Sequence, residues 1–182
     1  MNMKKFIIIG LGILLLFASI LTIFVADNMN RTRSMREFKR IVEQGNLEDI
    51  TLTIYYVGLV FAHWPVTVDY VIARHHYKAV VDGVRLAEHI DLLQELGSVD
   101  MRRIRSEGGL WAEVYYIFET NCGRKLLDVA LWVDNYNVLV NGFEVRGNDI
   151  FTDVIIPFLS EEIAEFLMSS TERQQWAHKY AQ

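Results

Sequence analysis

The chain has 182 residues, 52% of them hydrophobic and 23% charged, a balance that excludes general disorder. Lys4 and Lys5 are the only charged residues before Val25, so the remainder carries 16 basic and 23 acidic groups, a net of −7, which argues against a nucleic-acid partner because phosphate contacts need a basic surface. Cys122 stands alone, which excludes an intramolecular disulfide and any zinc site built on two or four cysteines.

After the short basic tail 1–5 comes an uncharged run from Phe6 to Val25. Its 20 residues make about 30 Å of helix, the thickness of a bilayer's hydrocarbon core. A core helix of a soluble domain would show a polar face, and this run has none. Residues 6–25 are therefore expected as a transmembrane or signal-anchor helix with membrane lipid as its partner. Cleavage fits poorly, since it needs small residues at −3 and −1, and cutting after Ala26 or Ala18 would put Phe24 or Leu16 at −3. Arg31, Arg33, Arg36, Lys39 and Arg40 on the C-terminal side would hold the domain in the cytoplasm by the positive-inside rule alone. The short N-tail with two lysines is instead the layout of an export signal. We read a single-pass cell-membrane protein with an extracytoplasmic domain, the cytoplasm-facing topology being the alternative.

Residues 26–34 are expected as a juxtamembrane linker. Ser34 to Glu37 fits a capping box, followed by Met35, Phe38, Ile41 and Val42 at helical spacing and a Gly45 stop, which predicts a helix over 35–44. Its basic residues either touch anionic headgroups or form a solvated face. Ile50, Leu52, Ile54 and Tyr56 alternate as a strand; Trp64-Pro65 breaks the next stretch, and Val66 to Ile72 fits a strand or a short helix. Tyr77 to Val81 reads as a strand, Leu86, Ile90, Leu93 and Leu96 mark a helix ending at Gly97, and Val99 to Ile104 reads as a short strand. Leu110, Ala112, Val114, Tyr116 and Phe118 alternate with Trp111, Glu113, Tyr115, Ile117 and Glu119; Leu127, Val129, Leu131 and Val133 alternate with Asp128, Ala130 and Trp132. Pairing across a two-residue Cys122-Gly123 loop puts both apolar sets on one face and Asp128 opposite Ile117. Asn137 to Val140 and Phe143 to Val145 flank Asn141-Gly142, the strongest short hairpin signal. Asn148 and Ser160 can cap two last helical pieces around Pro157, and the tail 169–182 is polar, with Trp176 and Tyr180 as docking points. The expected domain, 35–168, is α+β: an antiparallel sheet with helices packed on one face, preceded by one N-terminal transmembrane helix.

In Glu88-His89-Ile90-Asp91-Leu92-Leu93, Tyr115 to Thr120, Asp128 to Trp132 and Asn141 to Val145, the chain resembles a family of small membrane-anchored or exported proteins of Gram-positive gut bacteria, grouped as a domain of unknown function. The resemblance spans most of 35–168 and implies a similar layout; it carries over no functional residue.

No phosphate loop, nucleophile elbow or dinucleotide fingerprint is present, and no cofactor is implied. His63, His75, His76, His89 and His178 lack the spacing of a metal site. Cys122 lies beside Arg124 and Lys125, which favours a reactive thiolate but supplies no base. The second face of the central hairpin is the most suggestive feature. It carries Trp111, Glu113, Tyr115, Glu119, Asp128 and Trp132, aromatic rings beside carboxylates that suit sugars or cations. Trp111, Glu113, Tyr115, Asp128 and Trp132 are the candidate ligand-binding residues; no catalytic residue is assigned. The bland alternative is that a helix covers this face. The first functional reading is a non-enzymatic, membrane-tethered binding module at the cell envelope with a protein or glycan partner, which expects Trp111, Tyr115 and Trp132 to be partly exposed. The others are an envelope hydrolase using carboxylates among Glu113, Glu119 and Asp128, and a cytoplasm-facing regulatory protein.

Overall fold

The computed structural model describes residues 3–58, 66–104, 112–131 and 137–168. It begins with one continuous helix, α1 (Met3–Gln44). The expected linker 26–34 and the cap at Ser34 are thus replaced by unbroken helix. No Gly or Pro lies between Ala26 and Gln44, so nothing forces a stop, and continuing satisfies more backbone groups than one side-chain cap would. The helix ends as Gly45 predicts. Gly45 has φ +67°, its N–H donates to the Val42 carbonyl, and the Asn46 N–H donates to Ile41. Among the described residues no helix is long and apolar enough to cross a membrane; the side chains of residues 6–13 lie outside them.

Among the described residues six antiparallel strands follow: β1 (Ile50–Tyr56), β2 (Tyr77–Val81), β3 (Val114–Thr120), β4 (Lys125–Leu131), β5 (Asn137–Val140) and β6 (Phe143–Arg146), in the order β2-β1-β3-β4-β5-β6. Between them lie α2 (Val68–Arg74), α3 (Gly83–Ala87) and α4 (Ile90–Ser98), and after them α5 (Ile150–Asp153), a 3₁₀ turn at Ile156–Phe158 and helical residues 161–168. Val66 to Ile72 resolves as helix because Thr67 caps it, its hydroxyl accepting from the Tyr70 N–H. The single helix expected around Leu86 to Gly97 is two, since Asp82 caps α3 and the chain turns at Glu88-His89. Val99 to Ile104 is no strand; it makes one bridge, Arg103 to Val145, and the Ile104 N–H donates to Glu144.

The central hairpin has the expected pairing, Phe118 with Leu127 and Ile117 with Asp128. One feature was not foreseen: the register then shifts, so that Glu119 pairs with Lys125 and Leu126 is an extra residue. The β5–β6 turn places both Asn141 (φ 47°) and Gly142 (φ 75°) in the left-handed region, as a type I′ turn requires.

One sheet face carries the main core. Val114, Tyr116, Phe118, Leu127, Val129 and Leu131 pack with Phe38 and Val42 of α1, Leu93 and Leu96 of α4 and Ile150 and Phe151 of α5. The Tyr116 hydroxyl donates to the Phe151 carbonyl at 2.9 Å. The expectation of helices on one face alone needs correction. A second cluster of Val66, Val71, Ala112, Tyr115 and Ala130 places α2 on the opposite face. Residues with alternating polar and apolar character bury both ways here because Tyr115 and Ala130 offer enough apolar area to seat a short helix.

Candidate functional site

Five neighbouring strands build the second face as a row: Lys78 pairs with Tyr55, Tyr55 with Tyr115, Tyr115 with Ala130, and Ala130 with Leu139. The two tyrosine rings stack at 6.2 Å, the Lys78 ammonium lies 5.2 Å from the Tyr55 ring, and the His75 ring meets Tyr55 edge-on at 5.3 Å. Tyr115 is buried, only 7% exposed, so it is no open stacking platform. Its hydroxyl instead donates to Asp128 Oδ2 at 3.3 Å. Burial, the Asp128 charge and that hydrogen bond push the phenol far above its ordinary pKa, so it remains a donor.

Asp128 is itself buried and is held by three neighbours. Lys125 Nζ donates to the same Oδ2, and the Asp128 backbone N–H donates to Asn141 Oδ1 at 2.7 Å. In a regular strand residues 125 and 128 would face opposite sides. The bulge at Leu126 turns Leu126 and Leu127 both into the main core and leaves Lys125 and Asp128 together on the other face. Asn141 is nearly inaccessible at 2%. Its amide also donates to Leu126 O, its own N–H to Asp128 O, and its carbonyl accepts from Arg31 Nη1 at 2.8 Å. Arg31 and Arg103 both lie over the Phe143 ring, 4.9 and 5.3 Å from its centroid.

These groups line a groove of about 540 Å³ between α1, α2 and the sheet. Tyr115, Ala130 and Leu139 form its floor, Asn30, Arg31 and Ser34 one wall, and Val68, Asp69 and Ile72 the other, with Lys125 and Asp128 at the end. The structure therefore brings Tyr115 and Asp128 together. Glu113 is buried, bonded through its backbone to Val57 and Leu131, and does not line the groove; Glu119 sits half-buried beside the bulge. Trp111 and Trp132 lie outside the described residues. With Tyr115 buried, the expected patch of exposed aromatic rings loses its central member. Sequence reading missed Lys125, Asn141, Arg31 and Asp69. The adjacent Leu126-Leu127 pair was a signal for the first, since two consecutive apolar residues break strict alternation.

Other candidates are less assembled. The Cys122 thiol is exposed and sits below its ordinary pKa, chiefly through a hydrogen bond with Thr120 and then the Arg124 backbone N–H. Its turn is tied to α1 by a two-pronged Arg124–Glu37 ion pair, 2.7 and 2.6 Å, and no base faces the sulfur among these contacts. Among the described residues no three His, Cys, Asp or Glu side chains converge to hold a metal ion. No protein-family model, curated protein or solved structure matches the chain.

Proposed function

We propose that the protein is a membrane-tethered, non-enzymatic binding module: α1 spans the bilayer over Phe6–Val25, and the groove beside its C-terminal half receives a polar ligand. The carrying observation is the surface of α1. Leu14, Leu15, Leu16 and Phe17 are consecutive, so at 100° per residue they point to all sides, and they are 67, 61, 62 and 68% exposed. Leaving each such side chain in water forgoes about 1.5–3 kcal/mol relative to burial, whereas lipid covers a helix on every side. The same helix then buries Phe38 and Val42 in the domain core, so tether and domain are continuous. Arg31 is engaged by Asn141 and Phe143, which ties one of the flanking basic residues to the fold and favours the extracytoplasmic orientation over a simple charge count.

Binding suits the groove better than hydrolysis. Asp128 is committed to Lys125 and Tyr115, and Glu113 and Glu119 do not share the groove with it. Its charges balance, Arg31 and Lys125 against Asp69 and Asp128, over an apolar floor. Alternating donors and acceptors of this kind fit the hydroxyls of a glycan. Alkaline carbonate extraction tests the tether. The intact chain stays with the membrane, and Leu16→Lys, which places a charge near the bilayer centre at a cost of about 3 kcal/mol, moves it to the soluble fraction. An intact wild-type chain released as a soluble protein ends the reading. A reporter fused at the C-terminus, active on one side only, reads the orientation.

A further inference from the structure

The two edges of the sheet differ. β6 is covered by the chain itself, since Arg103 bridges to Val145 and the Ile104 N–H donates to the Glu144 carbonyl. Along β2 no such cover occurs among the described residues. The Val57 N–H donates to the Glu113 carbonyl, and Asp49 accepts from the Asn121 N–H. Odd-numbered residues of β1 therefore turn their backbone groups to β3 and even-numbered ones to β2. Leu52, Ile54 and Tyr56 meet Val81, Ala79 and Tyr77, which leaves the N–H and carbonyl of Lys78 and of Val80 pointing out of the sheet. Among the described residues neither residue makes a backbone hydrogen bond beyond it. Asp82 continues the edge in an extended conformation, φ −81° and ψ 169°. Outside α1, the two most exposed large apolar side chains among the described residues stand at this edge, Val84 at 71% and Val80 at 58%.

We infer that β2 pairs antiparallel with β2 of a second copy of the chain, joining two sheets edge to edge; neither the tether nor the ligand of the groove enters into this. Charge selects both the partner and the register. Lys78, Val80 and Asp82 alternate onto one face of the edge. The Lys78 ammonium lies 5.2 Å from the Tyr55 ring and has no acidic partner among the described residues. Asp82 Oδ1 caps α3, accepting from the Arg85 N–H at 3.0 Å, and Oδ2 has no partner among the described residues. A two-fold axis at Lys78 would set the two lysines opposite each other, which repels. An axis at Ala79 would set Lys78 against Val80, with Asp82 only diagonal to it. An axis at Val80 stacks the two valines and sets each Lys78 opposite Asp82 of the other copy. A valine pair flanked by two ion pairs then forms on one face, and the outward backbone groups of Lys78 and Val80 find partners. A lysine on an edge strand ordinarily discourages pairing. Asp82, four residues further on, turns that discouragement into selectivity for a copy of the same edge.

The test uses the full-length chain in neutral detergent, with Cys122→Ser removing its one native thiol. Val80→Cys reads the register. With the axis at Val80 the two cysteines face each other, about 5.5 Å apart between Cα atoms, and oxidation gives a covalent dimer. With the axis at Ala79 they would lie diagonally, about 7–8 Å apart and beyond the reach of a disulfide. Gln94→Cys, exposed on α4, stays monomeric under the same treatment. Sedimentation equilibrium of the chain that keeps Val80 reads affinity. The wild type dimerises, and Lys78→Glu, which sets like charges opposite each other twice, raises the dimer Kd by roughly ten- to a hundred-fold. Mixing the Lys78→Glu and Asp82→Lys chains restores association, because each then meets an opposite charge at both positions. Asp82→Lys also removes the α3 cap, so if it fails to fold the cysteine and Lys78→Glu results decide alone. A wild type that stays monomeric overturns the inference, and so does a Val80→Cys chain that forms no covalent dimer. A dimer untouched by Lys78→Glu overturns it as well and assigns the association to another surface.

Discussion

On one face of the sheet, Val114, Tyr116, Phe118, Leu127, Val129 and Leu131 disappear beneath α1, α4 and α5. On the other, among the described residues, Tyr55 and Tyr115 pack with the short helix α2, and a groove lined by Tyr115 and Asp128 remains. The first face is held by apolar area and shape. The second is held by a polar clamp, Asn141 on the bulge of β4, with a carboxylate, a phenol and two cations around it. An apolar face closes on itself and leaves no room for a partner. A mixed face covered by one helix keeps polar groups ordered beside open space, which is what a binding site needs.

Truncating the apolar face should cost most. Phe118 is fully buried against Phe38, 4.9 Å between ring centroids, and Tyr116, at 6.0 Å. Phe118→Ala is expected to lower unfolding free energy by about 3–5 kcal/mol in denaturant titration. Asn141→Ala comes next, at about 2–3 kcal/mol, because it leaves the buried Asp128 N–H without its acceptor and puts a non-glycine residue without local hydrogen bonds at positive φ. Asn141→Gly relieves the backbone part and should cost measurably less. Equal costs for Phe118→Ala and Asn141→Ala would break the distinction between a packed face and a clamped one. Equal costs for the two Asn141 variants would show that the clamp works through its side chain alone.

Tyr115→Phe keeps the stacked ring and removes one 3.3 Å hydrogen bond, so about 1 kcal/mol is expected, with Lys125 still holding Asp128. A larger loss would move the centre of the mixed face from Asn141 to Tyr115. The smallest effect belongs to the apolar side's rim. Asp153 is raised above its ordinary pKa by partial burial and then by Asp149 and Glu95. It therefore binds its proton more tightly when folded, so its contribution is present below the unfolded pKa and lost as pH rises through the raised value. Asp153→Asn should raise Tm at neutral pH, by no more than about 0.5 kcal/mol in stability for so exposed a group, and leave it nearly unchanged in acid. A gain that is larger in acid would reverse the assignment.

Local pattern alone determined the pairing of β3 with β4, because strict alternation allows one register that buries both apolar sets, and the Asn141-Gly142 turn, because few residues tolerate positive φ twice in succession. It also determined the charge-free character of Phe6–Val25. The groove residues were only half legible: Tyr115 and Asp128 stand out as a polar set on one strand face, while Lys125 falls on the wrong side of any regular strand and Arg31 is remote in sequence. Only tertiary structure decided that Leu126 would be drawn into the core, creating the bulge that returns Lys125 to Asp128, that α2 would cover Tyr115, and that α1 would run unbroken from the apolar segment into the domain. Each of these depends on which surfaces compete for burial across long separations in the chain, and periodicity within one segment does not contain that competition.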